Sequence, residues 1–282
     1  MEAKEKPLVS VLMTSYNREK YIDAAIGSVL ASTYPAFELI IVDDGSKDRT
    51  VEIARSYAAR DGRVKVYVNE KNLGDYPNRN KAASYAAGKY LKYVDADDYI
   101  YPWGLASLVN MMEQFPEAGW GLCSLLQVKE RPYPFQLSPK EAYEHHYFGP
   151  GLFHKAPLSA ILVRSAFEKL GGFSGMRMVG DSEMWHRMAM HYPVVLMPDG
   201  MVWYREHDSQ EANSIRQFVL TYEEVVYNAL SHPECPLSRD QVRQIVSKRK
   251  NQSMRFGAYH LLKLQFGRMA DNMRIWSFYK GK

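Results

Sequence analysis

The stretch "KYLKYVDADDYIYP", residues 89–102, places three carboxylates, Asp95, Asp97 and Asp98, within four positions at the end of an apolar run. Like charges this close raise one another's pKa unless a cation neutralises them. An all-oxygen set of this kind suits a hard divalent ion, Mg2+ or Mn2+, that keeps positions open for phosphate oxygens. A metal-bound diphosphate is the ligand such a corner would take. A solvated acidic turn is the plainer alternative, and the elements around it decide between the two.

Those elements alternate. The β-rich run "LVSVLM" (8–13) is followed by the loop "TSYNREK" and by apolar residues at helical spacing, Tyr21, Ile22, Ala25, Ile26, Val29 and Leu30. The pattern recurs with "FELIIV" (37–42), the loop "DDGSKD" and a helix carrying Val51, Ala54, Tyr57 and Ala58, then with "VKVYV" (64–68) and the helix "NRNKAASYAA". Strand–helix alternation of this length predicts an α/β fold, a mostly parallel sheet with right-handed crossovers and helices on both faces. Ligands of such sheets bind beyond the carboxyl ends of the strands, where strand order reverses. With the order 3-2-1-4, Thr14–Asn17 would face Asp95–Asp98, and Asp43 and Asp44 would leave the second strand on the same rim. That convergence argues against an isolated acidic turn.

Regularity weakens after residue 102. "VKERPYPFQLSP" (128–139), with three prolines, reads as a loop; "PLSAILVR" (157–164) reads as a strand, "SAFEKLGGF" as a short helix and "DSEMWHRMAM" as another. "VVLMPDGMVWYREH" resumes strand character, and residues 211–231 and 238–276 read as helical. The expected organisation is a catalytic domain over 1–210, with a nucleotide-binding half (1–102) and an acceptor-binding half (103–210), and a helical, basic extension over 211–282.

Composition narrows the possibilities. The 282 residues are 46% hydrophobic, enough for a real core, and no run approaches a membrane span. "MEAKEKPLVS" lacks the apolar core of a signal peptide, so a cytoplasmic protein is expected. Cys123 and Cys235 lie far apart without metal-ligand spacing and read as reduced thiols. The net charge of +4 conceals an acidic body with 25 Lys/Arg against 30 Asp/Glu, and a basic tail from Ser238 with 11 against 2. Such a tail could lie on an anionic membrane at its inner face or pack on the body, and no nucleic-acid recognition motif accompanies it. Neither G-x-x-x-x-G-K-[ST] nor G-x-G-x-x-G follows the first strand, which excludes a P-loop NTPase and a standard dinucleotide binder.

"VSVLMTSYNREKYIDAAIGSVLASTYPAFELIIVDDGSKDRT" and "NEKNLGDYPNRNKAASYAAGKYLKYVDADD" resemble the family 2 glycosyltransferases of the GT-A fold almost continuously over residues 8–102. The resemblance implies an inverting, metal-dependent transferase. It would take a nucleotide-diphosphate sugar, most simply a UDP-sugar, and a saccharide or lipid-linked acceptor, in cell-surface polysaccharide or glycoconjugate synthesis. It implies that Thr14 and Tyr16 hold base and ribose, and that Asp44, or else Asp43, accepts a hydrogen bond from the base. Arg79 would face the base or the diphosphate, Asp95 the ribose or the metal's water, and Asp97 and Asp98 the metal. "GDSEMWHRMA" is similar to the family's "EDWDLWLRLA", which puts Asp181 at the catalytic base, with Gly180 replacing the usual Glu. Alone, Asp181 reads as a helix N-cap. "WYREHDSQEANS" (203–214) is similar to the family's "YR.H....S" and would bring His207 to the metal or diphosphate, with Arg205 nearby. "HHYFGPG" (145–151) stands where acceptor loops occur. The "QxxRW" motif and spans of the processive synthases are lacking, so addition of one sugar is expected. The alternatives are a haloacid dehalogenase-type phosphotransferase, a nucleotidyltransferase and a carbohydrate- or nucleotide-binding pseudoenzyme.

Overall fold

The computed structural model describes residues 6–129, 131–207, 217–280 and 282. Its first half follows the sequence pattern: β1 (Val9–Ser15), α1 (Ile22–Leu30), β2 (Phe37–Asp43), α2 (Thr50–Ala58), β3 (Val64–Val68), α3 (Asp75–Ser84) and β4 (Tyr90–Tyr93). All seven residues of β2 are buried, the mark of a strand covered on both faces. Side chains alternate across the sheet. Val9, Val11 and Met13 pack with Ile22, Ala25, Ile26 and Val29 of α1 on one face, whereas Leu12 joins Ala82, Ala83 and Tyr93 on the other.

The second half adds β5 (Tyr99–Ile100), α4 (Gly104–Met112), β6 (Trp120–Leu125), β7 (Phe135–Leu137), α5 (Pro139–Phe148), β8 (Ala160–Val163), α6 (Arg164–Lys169), α7 (Gly180–His191), β9 (Val194–Pro198) and β10 (Val202–Trp203). The sheet order is β3-β2-β1-β4-β8-β6-β9-β7, with β5 and β10 as a separate antiparallel pair. The expected 3-2-1-4 order holds. Beyond β4 the sheet turns mixed, since β8 runs antiparallel to both β4 and β6. The strand read over 157–164 is shorter, because Pro157–Ser159 forms a single 3-10 turn before β8, with Pro at its first position.

The C-terminal part comprises α8 (Val219–Ser231), α9 (Arg239–Leu262) and α10 (Phe266–Lys280). The helical stretch expected over 211–231 starts among residues that lie outside the described ones, and the stretch expected to be helical over 238–276 is a hairpin of two helices. Val226, Leu230 and Ile245 enter the same buried cluster as Leu12 and Leu91, so the first part of the extension belongs to the core. Among the described residues, no helix is long and apolar enough to cross a membrane.

Candidate active site

Parallel pairing sets Leu12 of β1 beside Tyr93 of β4, so the chain leaves both strands at one point. There Thr14 Oγ1 donates to Asp95 Oδ1 at 3.2 Å, and the N–H of Ala96 donates to Thr14 O at 3.3 Å. Asp95 also receives the fork of Arg79, with Nη1 at 2.7 Å and Nη2 at 2.8 Å, while Arg79 Nε donates to Asp75 Oδ1 at 2.8 Å. Arg79 is therefore neither a helix-surface arginine nor a fork turned to the base or the diphosphate. Its side chain is buried, and three of its five N–H groups are committed to carboxylates.

The next two carboxylates have different neighbours. Asp97 Oδ2 accepts from Arg18 Nε at 2.8 Å and lies 3.1 Å from His207 Nε2. The imidazole of His207 stacks on Tyr21, with centroids 4.7 Å apart. Arg205 bridges the two residues, its Nε donating to the backbone carbonyl of Asp97 at 2.8 Å and its backbone N–H to the carboxylate Oδ1 of Asp98 at 3.0 Å. Asp98 is buried, and that burial, followed by the charges of Asp95 and Asp97, pushes its carboxyl up to about 8 against the opposing Arg205 hydrogen bond. Beneath these carboxylates Lys92, fully buried, donates its Nζ to the carbonyls of Leu158 and Ala160. Burial lowers its pKa, and its charge acts on Asp98 and Asp95.

The donor set is of the type a hard cation takes. Asp97 and His207 already meet, and a metal whose shell is completed by diphosphate oxygens needs only one or two protein ligands. Among the described residues no three His, Cys, Asp or Glu side chains gather round one point, and Arg18 stands against the carboxylate of Asp97. The residues fit a cation that arrives with its diphosphate better than one bound by protein alone.

The rim around the corner is stapled loop to loop. Asp43 uses both oxygens twice, accepting from the N–H groups of Gly45 and Ser46 on Oδ1 and from the hydroxyls of Ser15 and Ser46 on Oδ2. No acceptor position is left for a base, so Asp43 shapes the loop. Asp44 accepts from Asn69 Nδ2 and Leu73 N–H on Oδ1 but only from Gly74 N–H on Oδ2, which keeps one position free. Gly74 reaches it from a φ of +87°, a conformation that favours glycine. Asn17 ties the β1 loop to the β2 loop, its N–H donating to Ser46 Oγ and its Oδ1 accepting from the N–H of Lys47, both at 2.8 Å. The ring of Tyr16 is left exposed as an open face beside this rim.

Asp181 is the second residue of α7. The N-cap position is Val179, with no side-chain cap, so the helix-cap reading does not describe it. Its Oδ1 accepts from the N–H of Ser182 at 2.7 Å, and the Tyr76 ring lies against the neighbouring Gly180. Burial pushes the carboxyl up to about 6, opposed by the Ser182 N–H, the charge of Arg79 and the Tyr76 hydroxyl. A Cβ on Gly180 would sit 2.7 Å from the Tyr76 ring, so that ring explains why glycine stands where the family has Glu. The segment "HHYFGPG" folds on itself: His146 Nδ1 accepts from the N–H groups of Leu152 and Phe153 at 3.0 and 3.1 Å, and burial drives its pKa down to about 2. Arg18, Tyr76 and Lys92 are the site residues that sequence reasoning missed.

Comparison with known proteins bears on this arrangement. The chain is 43% identical over 94 residues to the uncharacterized glycosyltransferase EpsJ of Bacillus subtilis, covering 33% of this chain and 27% of that one. It is 27% identical over 228 residues to an uncharacterized glycosyltransferase of Rickettsia typhi, covering 77% and 70%. Four of the curated relatives are matched over only 27–43% of their own length. In fold it resembles Staphylococcus aureus TarS 1–349 in complex with UDP-GlcNAc (16% identity, 97% of this chain, 91% of that one, TM-score 0.66). It also resembles the Pyrobaculum calidifontis mannosyltransferase PcManGT in complex with GDP-Man and Mn2+ (17% identity, 96% and 86%, TM-score 0.61). The architecture is thus GT-A-like. The sequence pattern of glycosyl transferase family 2 matches residues 10–171, more than half of the chain, and the chain belongs to that family.

Proposed function

We propose that this chain is an inverting glycosyltransferase that moves a sugar from a nucleotide-diphosphate sugar, a UDP-sugar in the first instance, to a hydroxyl of a saccharide or lipid-linked acceptor. Cell-surface polysaccharide or glycoconjugate synthesis is the setting this implies. One observation carries the reading. Tyr76 and Arg79 lie three residues apart on one face of α3, the Tyr76 ring against Gly180 beside Asp181 and the Arg79 fork on Asp95, so a single helical turn borders both carboxylate centres. Residues 1–102 would then supply the donor corner and 103–210 the proton acceptor, with 211–282 as the extension.

In this mechanism the Tyr16 ring lies against the base, Thr14 and Asp95 border the ribose, and Asp44 Oδ2 accepts from a base N–H. The acceptor hydroxyl attacks the anomeric carbon on the face opposite the diphosphate. The new C–O bond forms as the bond to the diphosphate breaks, inverting the configuration, and Asp181 takes the hydroxyl proton. A carboxyl near 6 is ionised at neutral pH and still basic enough for that transfer. Mn2+ or Mg2+ arriving with the diphosphate, and taking its one or two protein ligands from among Asp97, Asp98 and His207, would supply charge to the departing diphosphate. No covalent sugar intermediate is required. With a lipid-linked acceptor the enzyme would work in the cytoplasm, peripherally at the inner face of an anionic membrane, and nucleic acid is not a partner.

The test is a thermal-shift screen of nucleotides and nucleotide sugars with and without Mn2+, followed by assay of nucleotide release. Metal-dependent stabilisation by a nucleotide sugar, with release on adding acceptors, is expected. No stabilisation by any nucleotide would sink the reading, and stabilisation without release would leave a binding pseudoenzyme.

A further inference from the structure

The α9–α10 hairpin has a root that packs and a tip that does not. At the root Arg249 grips Glu223 of α8 with Nε at 2.7 Å and Nη2 at 2.8 Å, and the buried Tyr279 donates its hydroxyl to the same carboxylate at 2.7 Å. The Tyr227 and Phe278 rings meet edge to face, 5.9 Å apart. At the tip, of residues 254–268 only Gly257 is buried, where α9 passes Asn272 and Met273 of α10. The rest is apolar and open: Leu262 is 84% exposed and Leu264 73%, with Phe256, Tyr259, Leu261 and Phe266 about half exposed. At 100° per residue these side chains point to several sides, so the whole end is apolar rather than one stripe. Arg255, Lys263, Arg268 and Arg274 lie among them, with Asp271 as the only acid between 254 and 274.

We propose that this tip docks on an anionic lipid bilayer, seating Leu262, Leu264 and Phe266 among the acyl chains while Lys263 and Arg268 reach the headgroups. The charge selects this occupant. A second copy of the tip would bring its own excess of cations against the first, whereas an anionic headgroup layer offers the complementary sign over a broad surface. The root supplies rigidity, since the Glu223–Arg249–Tyr279 contacts fix the hairpin to the catalytic body. The inference rests on the transfer reading only for its purpose, access to a lipid-linked acceptor, because docking itself needs no turnover.

The test is co-sedimentation of the full chain with phosphatidylcholine vesicles, with and without about one third phosphatidylglycerol, at low and high salt. The variants are the triple change Leu262→Glu, Leu264→Glu, Phe266→Glu and the double change Lys263→Ser, Arg268→Ser. All these side chains are exposed, and circular dichroism and UDP binding should match the parent protein. The parent should partition onto the anionic vesicles at low salt. The double variant should partition roughly 25-fold less, at about fivefold per cation, and the triple variant should remain in solution. Equal partitioning of parent and variants, or none by the parent, overturns the proposal. So does concentration-dependent self-association of the parent that the triple variant abolishes without any vesicle binding, since the occupant would then be a second copy. Unchanged UDP binding in the variants keeps a failure here separate from a failure of the transfer reading.

Discussion

Asp95 and Asp181 are two carboxylates served by one helix, and α3 treats them differently. Arg79 clasps Asp95 with two charged N–H groups, whereas Tyr76 sets a neutral ring against Gly180, next to Asp181. A paired carboxylate is fixed in place, which suits a positioning part. A carboxylate desolvated by burial rises toward neutral pKa and can exchange a proton, which suits a base. The difference between the two regions separates holding the donor from taking the proton.

The sharpest way to break that comparison is Asp181→Asn. Donor binding should persist and turnover should fall by roughly 10²–10⁴-fold, read from initial rates beside UDP affinity. A transfer rate near the parent's would place the base elsewhere. Next in size is Arg79→Met, which strands Asp95 and Asp75 without their shared cation. A loss of about 3–5 kcal/mol in denaturant unfolding is expected, as for other broken buried pairs. A variant as stable as the parent would mean that Asp95 needs no clamp. Asp97→Asn and Asp98→Asn should fold and lose the Mn2+-dependent part of UDP affinity, measured by calorimetry with and without the ion. Unchanged metal dependence would remove the acidic corner from the mechanism.

Two smaller effects test the pH behaviour. The base must be ionised, so kcat/KM should be level above about 6 and fall tenfold per unit below it. Folding stability has the same group with the opposite sign. A raised carboxyl binds its proton more tightly in the folded state, so its cost is absent below the unfolded value near 3.9 and grows as pH climbs through about 6. Asp181→Asn should therefore gain thermal stability relative to the parent as pH rises from 4 to 7. The smallest change is Tyr76→Phe. Deleting a hydroxyl that stabilises the ionised form should move the acidic limb upward by a fraction of a unit, and a limb that stays in place would show that Tyr76 only packs.

The left half of the sheet was legible because β1, β2 and β3 are each followed by a helix and the inner strands β1, β2 and β4 are buried on both faces, giving apolar runs. In the right half β8 was legible as a strand over 157–164, but the segment 128–139 read as a loop holds β7, whose three residues follow two prolines. The acidic corner was legible from composition alone. Its counter-charges were not. Arg18 meets Asp97 across 79 positions of sequence, and Tyr76, one turn into a helix, looks like an ordinary apolar contact. The "VDDGSKDRT" motif also reads as more chemical than it is. Asp43, Ser46 and Thr50 spend their polar atoms knitting the first two loops together, with the Arg18 N–H donating to Thr50 Oγ1 at 2.7 Å. Asp44 keeps an acceptor position to offer beside the acidic corner.

The contact of Arg18 with Asp97 gives the corner a built-in competitor. A lone divalent ion seeking Asp97 must displace a guanidinium tethered at fixed, high local concentration, and the displaced charge gains nothing in return. An ion arriving on a diphosphate changes that exchange, because the phosphate oxygens offer Arg18 a new anion as Asp97 is surrendered. Free metal should thus be held loosely and the metal–diphosphate tightly, and product release, which removes the anion, would restore the original pairing and help reset the site for the next cycle.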